Sequence, residues 1–187
     1  MILMSVLTTE KFEKWVVELR NSNEEAFSEL FRQTYNPMLR YALRFTADEE
    51  AARDILQDVY IKLWNKRVEL EPDKSLKAYL YSMVRNRCYN YIRDHSRVEV
   101  GLDESMPAEI ESQNEEQEKR EAESLKSRIN SWIEDLPIRQ REAFELSRFE
   151  GLDHSEIAEI MDCSPRTVNN HIVSALNFLR NKYQQHQ

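Results

Sequence analysis

Glycine is almost absent from this chain, and its absence limits the folds that the chain can adopt. Only Gly101 and Gly151 occur among the 187 residues. Strand-rich and doubly wound folds need glycine at many of their turns. Apolar residues recur instead at helical spacing along most of the chain. The sequence therefore predicts an all-α protein.

Charge is distributed unevenly and separates two small helical domains. The chain has a net charge of −8, and residues 97–123 alone carry three basic against ten acidic side chains. Few large apolar residues occur in that stretch, a composition typical of a flexible linker. We predict an N-terminal domain over residues 1–97, an acidic linker over 98–124 and a C-terminal domain over 125–187. Residues 115–123 are also compatible with the start of the helix that follows.

Capping residues with a glutamate three positions later locate two helix starts in the N-terminal domain. These pairs are Ser22 with Glu25 and Thr46 with Glu49. Pro37 predicts a new helical turn between them, since proline interrupts helices. The later helices are predicted over residues 50–67, 75–95 and 139–149.

Residues 151–172 have the pattern of a helix-turn-helix. Asp153 with Glu156 predicts a capping box at the start of the first helix, and residues 162–164 predict the turn. Ser164 followed by Pro165 predicts the start of the second helix. The apolar side of the motif is formed by Ile157, Ala158, Ile160, Met161, Val168, Ile172, Ala175, Leu176 and Leu179.

Polar side chains cover the other side of the second helix of this motif. They are Arg166, Thr167, Asn169, Asn170, His171 and Ser174. Asparagine amides bind adenine through two hydrogen bonds, and arginine binds guanine or phosphate. The pattern therefore favours a helix that reads the major groove of duplex DNA. On this segment alone, two ordinary amphipathic helices with a polar outer side remain the alternative.

The predicted helix over residues 75–95 combines positive charge with aromatic rings. Residues 74–97 have a net charge of +5 and contain four tyrosines. Cations bind phosphates and rings stack on unpaired bases, so the pattern favours single-stranded or opened DNA. A tyrosine-rich core helix with a solvated basic side is the alternative. The residues spaced to share one exposed side are Asn86, Asn90, Arg93 and Arg97.

These segments, in this order, resemble a bacterial RNA polymerase sigma factor of the extracytoplasmic-function (ECF) type. The resemblance covers residues 22–97 and 126–182. Its most specific parts are residues 48–64 (DEEAARDILQDVYIKLW), residues 78–86 (AYLYSMVRN), and Glu156-Ile157-Ala158 with Thr167-Val168.

The resemblance implies roles for particular residues. The helix over 50–67 would bind the polymerase clamp through Asp54, Gln57, Asp58, Lys62 and Trp64. The loop over 68–75 and the following helix would engage the melted minus-ten promoter element through Lys74, Lys77, Tyr81, Arg85, Asn86 and Arg93. The six polar residues of the helix-turn-helix would read the minus-thirty-five element as duplex. Asn90 departs from the family pattern, which often has an acidic residue at that position.

The same resemblance implies the partners. They are core RNA polymerase, promoter DNA in duplex and melted form, and, as a further candidate, an anti-sigma factor. The acidic linker would occupy a basic polymerase channel meant for RNA. A cytoplasmic protein without direct membrane insertion is expected, because no apolar run approaches the roughly 20 residues that span a bilayer.

Other function classes fit the sequence less well. A one-component helix-turn-helix regulator would explain residues 151–182 but neither the basic tyrosine-containing helix nor the acidic linker. No histidine has a glutamate three positions before it, as a di-iron site requires, and no phosphate loop or catalytic triad occurs. Cys88 and Cys163 lie far apart without a CxxC partner. We therefore expect no catalytic residue, no metal site and no cofactor.

Overall fold

The computed structural model describes residues 9–95 and 117–186, and these residues form eight α-helices, one 3-10 turn and no strand. The helices are α1 (Thr9–Arg20), α2 (Glu24–Thr46), α3 (Glu49–Asn65), α4 (Leu76–His95), α5 (Gln117–Glu134), α6 (Ile138–Arg148), α7 (His154–Met161) and α8 (Pro165–Gln184), and the 3-10 turn is Arg67–Glu69. They fall into two compact units, α1–α4 and α5–α8. The predicted all-α class is confirmed.

The predicted acidic linker lies mostly outside the described residues. Arg97 and residues 98–116 are among those that the structure does not describe. Residues 117–124 belong to α5, so the extension of that helix into residues 115–123 is confirmed from residue 117 onward. The predicted domain boundaries stay predictions.

The N-terminal unit is built by α2, α3 and α4 packing on one another, with α1 against them. Helix α3 contributes Ala52, Leu56 and Leu63, which are fully buried. Helix α4 contributes Leu80 and Val84 in the same way. The apolar side of α3 therefore forms part of the core.

The start of α2 differs from the prediction. The capping residue is Asn23, whose Oδ1 accepts hydrogen bonds from the backbone N–H of Glu25 at 3.0 Å and of Ala26 at 3.1 Å. Ser22 precedes it with φ of 60°, in the left-handed region. The Ser22–Glu25 box was wrong because Ser22 is part of the turn that leaves α1, and Asn23 takes the cap.

The predicted Thr46–Glu49 box was wrong for a related reason. Thr46 is the last residue of α2, and Ala47 ends that helix in the left-handed conformation with φ of 50°. Asp48 caps α3, accepting from the backbone N–H of Glu50 at 2.9 Å. Where several neighbouring residues can cap, the end of the preceding helix decides which one does.

The break predicted at Pro37 was also wrong, because α2 continues through that residue. Proline in a helix interior costs about 3 kcal/mol. Met38, Tyr41 and Ala42 follow it on the buried side of α2. Burying one large apolar side chain contributes about 1.5–3 kcal/mol, so the core contacts offset the loss at Pro37.

The C-terminal unit has its own core. Ile133, Leu136, Phe144 and Ala175 form a buried cluster, and Leu176, Phe178 and Leu179 pack against it. Helix α8 contacts α5, α6 and α7. No helix within the described ranges is long and apolar enough to span a membrane.

Tyr60 makes the stability of the N-terminal unit sensitive to alkaline pH. Its hydroxyl lies 2.7 Å from Thr34 Oγ1, and burial raises the pKa of Tyr60 from 10.0 to about 12. Because the pKa of Tyr60 is higher in the folded state than in the unfolded state, Tyr60 contributes stability that is fully present below pH 10. That contribution is lost as the pH rises through 12. We expect Tyr60 to cost about 1.4 kcal/mol of unfolding free energy between pH 9 and pH 11.

The Tyr60→Phe variant tests this expectation by urea unfolding at several pH values. It should be less stable at pH 8, since it loses the bond to Thr34, but should show a shallower decline above pH 9. Tyr183→Phe is the control, since Tyr183 is 44% exposed in the other unit. Equal slopes for the native protein and Tyr60→Phe would contradict the account.

Candidate functional site

Helices α7 and α8 form the predicted helix-turn-helix. Asp153 Oδ1 accepts from the backbone N–H of Ser155 at 2.7 Å and of Glu156 at 2.9 Å. The Glu156 carboxylate in return accepts from the Asp153 N–H at 2.8 Å, which completes the capping box. Asp162 ends α7 in the left-handed conformation with φ of 51°. The predicted cap and turn are confirmed.

The start of α8 is fixed by two neighbouring contacts. Ser164 Oγ accepts from the Thr167 N–H at 3.1 Å, and Pro165 occupies the first helical position, as predicted. The Thr167 hydroxyl lies 2.9 Å from the Ser164 hydroxyl, so it takes part in the cap. Arg139 Nη2 donates to the Met161 carbonyl at 3.0 Å and ties α6 to the end of α7. The role of this arginine was not predicted from the sequence.

The polar residues predicted to read duplex DNA lie on the outer side of α8. Arg166, Asn169, Asn170 and Ser174 are exposed, and Thr167 and His171 are half-buried at the edge of that side. The opposite side is buried through Val168, Ile172 and Ala175. All six are therefore positioned as the pattern predicted, although the Thr167 hydroxyl is engaged in the cap.

Helix α4 presents only part of the set predicted for opened DNA. Asn86 and Arg93 are exposed, Lys77 is half-buried, and Lys74 is exposed in the preceding loop. Tyr81 is 0% exposed and Arg85 is 7% exposed. The last two residues lie inside the unit, so in this conformation neither side chain forms part of the outer surface.

Packing against α2 explains why Tyr81 turns inward, and Arg85 is bound within α4. The Tyr81 ring meets Tyr41 edge to face, with centroids 5.0 Å apart. Arg85 lies over the Tyr89 ring, 4.4 Å from its centroid, and donates to the Tyr89 hydroxyl at 3.3 Å. For Tyr81 the core alternative considered from the sequence describes its position. Tyr89, which is 37% exposed, was not predicted as a site residue.

Several cations beside this surface are paired with carboxylates. Lys74 Nζ lies 2.8 Å from Glu71, Arg93 Nε lies 3.2 Å from Asp94, and both pairs are exposed. Exposed ion pairs contribute only about 0–1 kcal/mol. A phosphate can therefore replace either carboxylate at small cost, and charge-assisted bonds to it would be stronger.

The residues predicted to bind polymerase lie together on α3. Asp54, Gln57, Asp58 and Lys62 are exposed, and Trp64 is half-buried. Asp58 also pairs with Arg87 of α4 at 3.3 Å. The described residues contain no cluster of three or more His, Cys, Asp or Glu side chains that could hold a metal ion.

An aromatic groove beside these residues was missed in the sequence. It has a volume of about 480 Å³ and lies between α2 and α3. Phe31 and Ile61 are 37% and 51% exposed at its edge. Helical spacing of aromatic residues is compatible with a core or a groove, and only the packing of α2 on α3 shows which rings face outward. The groove is lined by Phe27, Phe31, Tyr35, Arg53, Gln57, Tyr60, Ile61, Trp64 and Asn65.

Both units match known protein families. Residues 30–98 match the model described as Sigma-70 region 2, and residues 127–179 match that described as Sigma-70, region 4. The chain belongs to the sigma-70 family of RNA polymerase sigma factors. The matches place α4 in region 2 and the helix-turn-helix in region 4, so the family resemblance seen in the sequence is confirmed.

Individual relatives indicate the ECF group within this family. The chain is 26% identical over 178 residues to the RNA polymerase sigma-H factor of Pseudomonas aeruginosa, covering 91% of this chain and 92% of that protein. It is 27% identical over 178 residues to the ECF RNA polymerase sigma-E factor of Escherichia coli, covering 90% and 92%.

A solved structure shows the same fold. It is the sigma factor RpoE of Bartonella quintana in complex with the anti-sigma factor NepR, with a TM-score of 0.65 and 22% identity. The similarity covers 84% of this chain and 96% of that one. Because the chain matches region 2 as well as region 4, the alternative of a one-component helix-turn-helix regulator is not favoured.

Loss of the Ser164 cap should loosen the start of the recognition helix α8. Replacing a capping serine by alanine costs about 1 kcal/mol, which raises the opened fraction of the first turn about fivefold and accelerates its amide exchange by the same factor. We expect this acceleration in Ser164→Ala for amide hydrogen exchange of the first turn of α8. Ser174→Ala, an exposed position in the same helix, is the control. Unchanged exchange in Ser164→Ala would show that the cap does not stabilise α8.

Proposed function

We propose that this sigma factor binds core polymerase through α3 and reads two promoter elements through α4 and α8. The observation that carries the proposal is the occurrence of region 2 and region 4 in one chain, with polar side chains exposed on each of these helices. RNA synthesis itself is the chemistry of the polymerase. The sigma factor, which we propose is cytoplasmic, supplies binding and no catalytic group.

Helix α8 reads the minus-thirty-five element as duplex. The exposed amides of Asn169 and Asn170 suit adenine, and Arg166 suits guanine or a phosphate. Residues 124–187 have a net charge of −1, so this unit alone has little of the phosphate neutralisation that supplies non-specific affinity. Attachment to polymerase supplies the missing affinity by raising the effective concentration of α8 at the promoter.

Helix α4 and the loop before it bind the melted minus-ten element. Lys74, Lys77 and Arg93 hold the backbone of the displaced strand, and Asn86 lies on the same exposed side as Arg93. A base that leaves the stack is read by the shape and hydrogen bonds of its pocket. Tyr81 acts from within the unit, by fixing the side of α4 that faces the DNA. Arg85 acts through the Tyr89 ring that it contacts.

The polymerase surface combines a polar face with an apolar anchor site. Asp54, Gln57 and Lys62 give α3 charged and hydrogen-bonding groups, and Trp64 borders the aromatic groove. Interfaces gain most of their affinity from a few buried aromatic or apolar contacts surrounded by polar residues. The groove supplies such contacts, and the polar residues set orientation. Since the solved relative binds an anti-sigma factor, an anti-sigma partner covering this surface is proposed as well.

Charge reversal on α3 tests the polymerase surface. We expect Asp54→Lys to lower affinity for core polymerase about tenfold, because a like charge replaces a complementary one at an interface. The measurement is fluorescence anisotropy of the labelled protein titrated with core polymerase. Glu13→Lys is the matched control, because Glu13 is exposed on α1 and the charge change is the same. Equal weakening by both variants would assign the effect to net charge and contradict a specific surface.

Substitutions in α8 and α4 test the division of labour between the two elements. Polymerase carrying each variant selects templates from one randomised promoter library, and the initiated templates are sequenced. Asn170→Ala should lose about 1–3 kcal/mol of base preference at one position of the minus-thirty-five element. Its base preference at the minus-ten element should not change. Asn86→Ala should do the reverse. A loss at both elements in either variant would contradict separate readout.

A further inference from the structure

The loop between α3 and α4, residues 66–75, has little regular structure of its own. The 3-10 turn at its start closes through the Glu69 N–H, which donates to the Lys66 carbonyl at 2.9 Å. Lys74 N–H donates to the Glu71 carbonyl at 3.1 Å further along. Isolated turns of this kind define a loop weakly, so contacts from elsewhere contribute to its shape. Val68 is 61% exposed in the 3-10 turn, so one side of the loop is open to a ligand.

The end of α1 supplies one of these contacts. Arg20, the last residue of α1, donates from Nη1 to the backbone carbonyl of Leu70. Leu70 is itself buried, as are Leu19 of α1 and Leu76 at the start of α4. Helix α1 contacts both the 3-10 turn and α4. The hydrogen bond from Arg20 therefore holds the loop at Leu70, whose side chain is packed in the core.

The turn that leaves α1 supplies a second contact. Ser22 Oγ accepts from Arg67 Nε at 2.9 Å. Arg67 also donates from Nη1 to the Trp64 carbonyl at 2.8 Å, and its guanidinium lies 4.4 Å from the Trp64 ring centroid. Residues before Leu30, including Arg20 and Ser22, are outside the region 2 match, which spans residues 30–98. The two contacts that hold the loop therefore come from residues that precede the region 2 match.

We propose that Arg20 and Ser22 are positioning residues for minus-ten recognition. They hold the loop over residues 66–75 in the shape that receives an unpaired base, without contacting the DNA themselves. The Arg20 guanidinium is directed to the Leu70 carbonyl and the Ser22 hydroxyl to Arg67. The inference rests on the proposed function, because it assigns these two residues to recognition of the minus-ten element, which is the downstream element. It gives them no role in polymerase binding or in reading the minus-thirty-five element, which is the upstream element.

The test uses full-length protein on core polymerase, with templates selected by the unaltered protein and single-base variants of their downstream element. Arg20→Ala should reduce the preference for the selected base about three- to tenfold, since it removes a charge-assisted hydrogen bond at a partly exposed position. Core affinity and the upstream preference should not change. Arg20→Lys, which keeps a donor, should recover part of the preference. Arg32→Ala is the control, because Arg32 is exposed and bonds the Ser28 carbonyl within α2.

Ser22→Gly separates positioning from stability. Ser22 has φ of 60°, and glycine adopts this conformation without strain. The variant should therefore keep or raise the melting temperature while it relaxes the downstream preference. A purely structural role would leave the preference unchanged when stability is unchanged, and that result would overturn the proposal.

Three further results would also overturn it. Equal loss on all templates with a shallower salt dependence in Arg20→Ala would mean that Arg20 binds a phosphate directly. If an Arg20→Ala complex still initiates and its preference at the minus-ten element is unchanged, the positioning role is refuted and the proposed function is kept. Absence of polymerase-dependent initiation by the unaltered protein would overturn the proposed function, and this inference with it.

Discussion

Helix α4 can bury only one side, and the arrangement of the N-terminal unit depends on how that side is fixed. Tyr81 sets it, through its edge-to-face contact with Tyr41 of α2 at a centroid distance of 5.0 Å. Leu80 and Val84 of α4 are fully buried beside it. Because these contacts fix the rotation of α4 about its axis, Asn86 and Arg93 face outward together. A core of rings thereby determines which polar groups lie on the outer side of α4.

The recognition helix depends on a different constraint, the geometry of one short turn. The left-handed residue Asp162 ends α7, Ser164 caps α8, and Arg139 holds the last carbonyl of α7. Each is a local hydrogen-bonding requirement of a helix end. Together they fix the turn between α7 and α8, from which the helix proposed to enter the major groove begins. The two units therefore present their polar sides by different means, a ring-packed core in one and a capped turn in the other.

The sequence predicted the helical class and the helix-turn-helix well because both depend on local signals. Capping residues such as Asp153 and Ser164 act within three positions of themselves, so their effect can be read along the chain. The burial of Tyr81 and the outward position of Phe31 could not be predicted in this way. Tyrosine at the edge of an apolar stripe fits a core or a surface, and packing against α2 or α3 decides. The same limit explains the misplaced caps at Ser22 and Thr46 and the helix that continues through Pro37.

Run-off transcription tests the central claim most directly, namely that this chain directs polymerase to promoters through two separate elements. Core polymerase is assayed on a randomised promoter library with and without the protein. The account predicts initiation only in the presence of the protein, from templates that share two elements at a fixed spacing. No initiation with core polymerase, together with sequence-specific duplex binding by the protein alone, would contradict it.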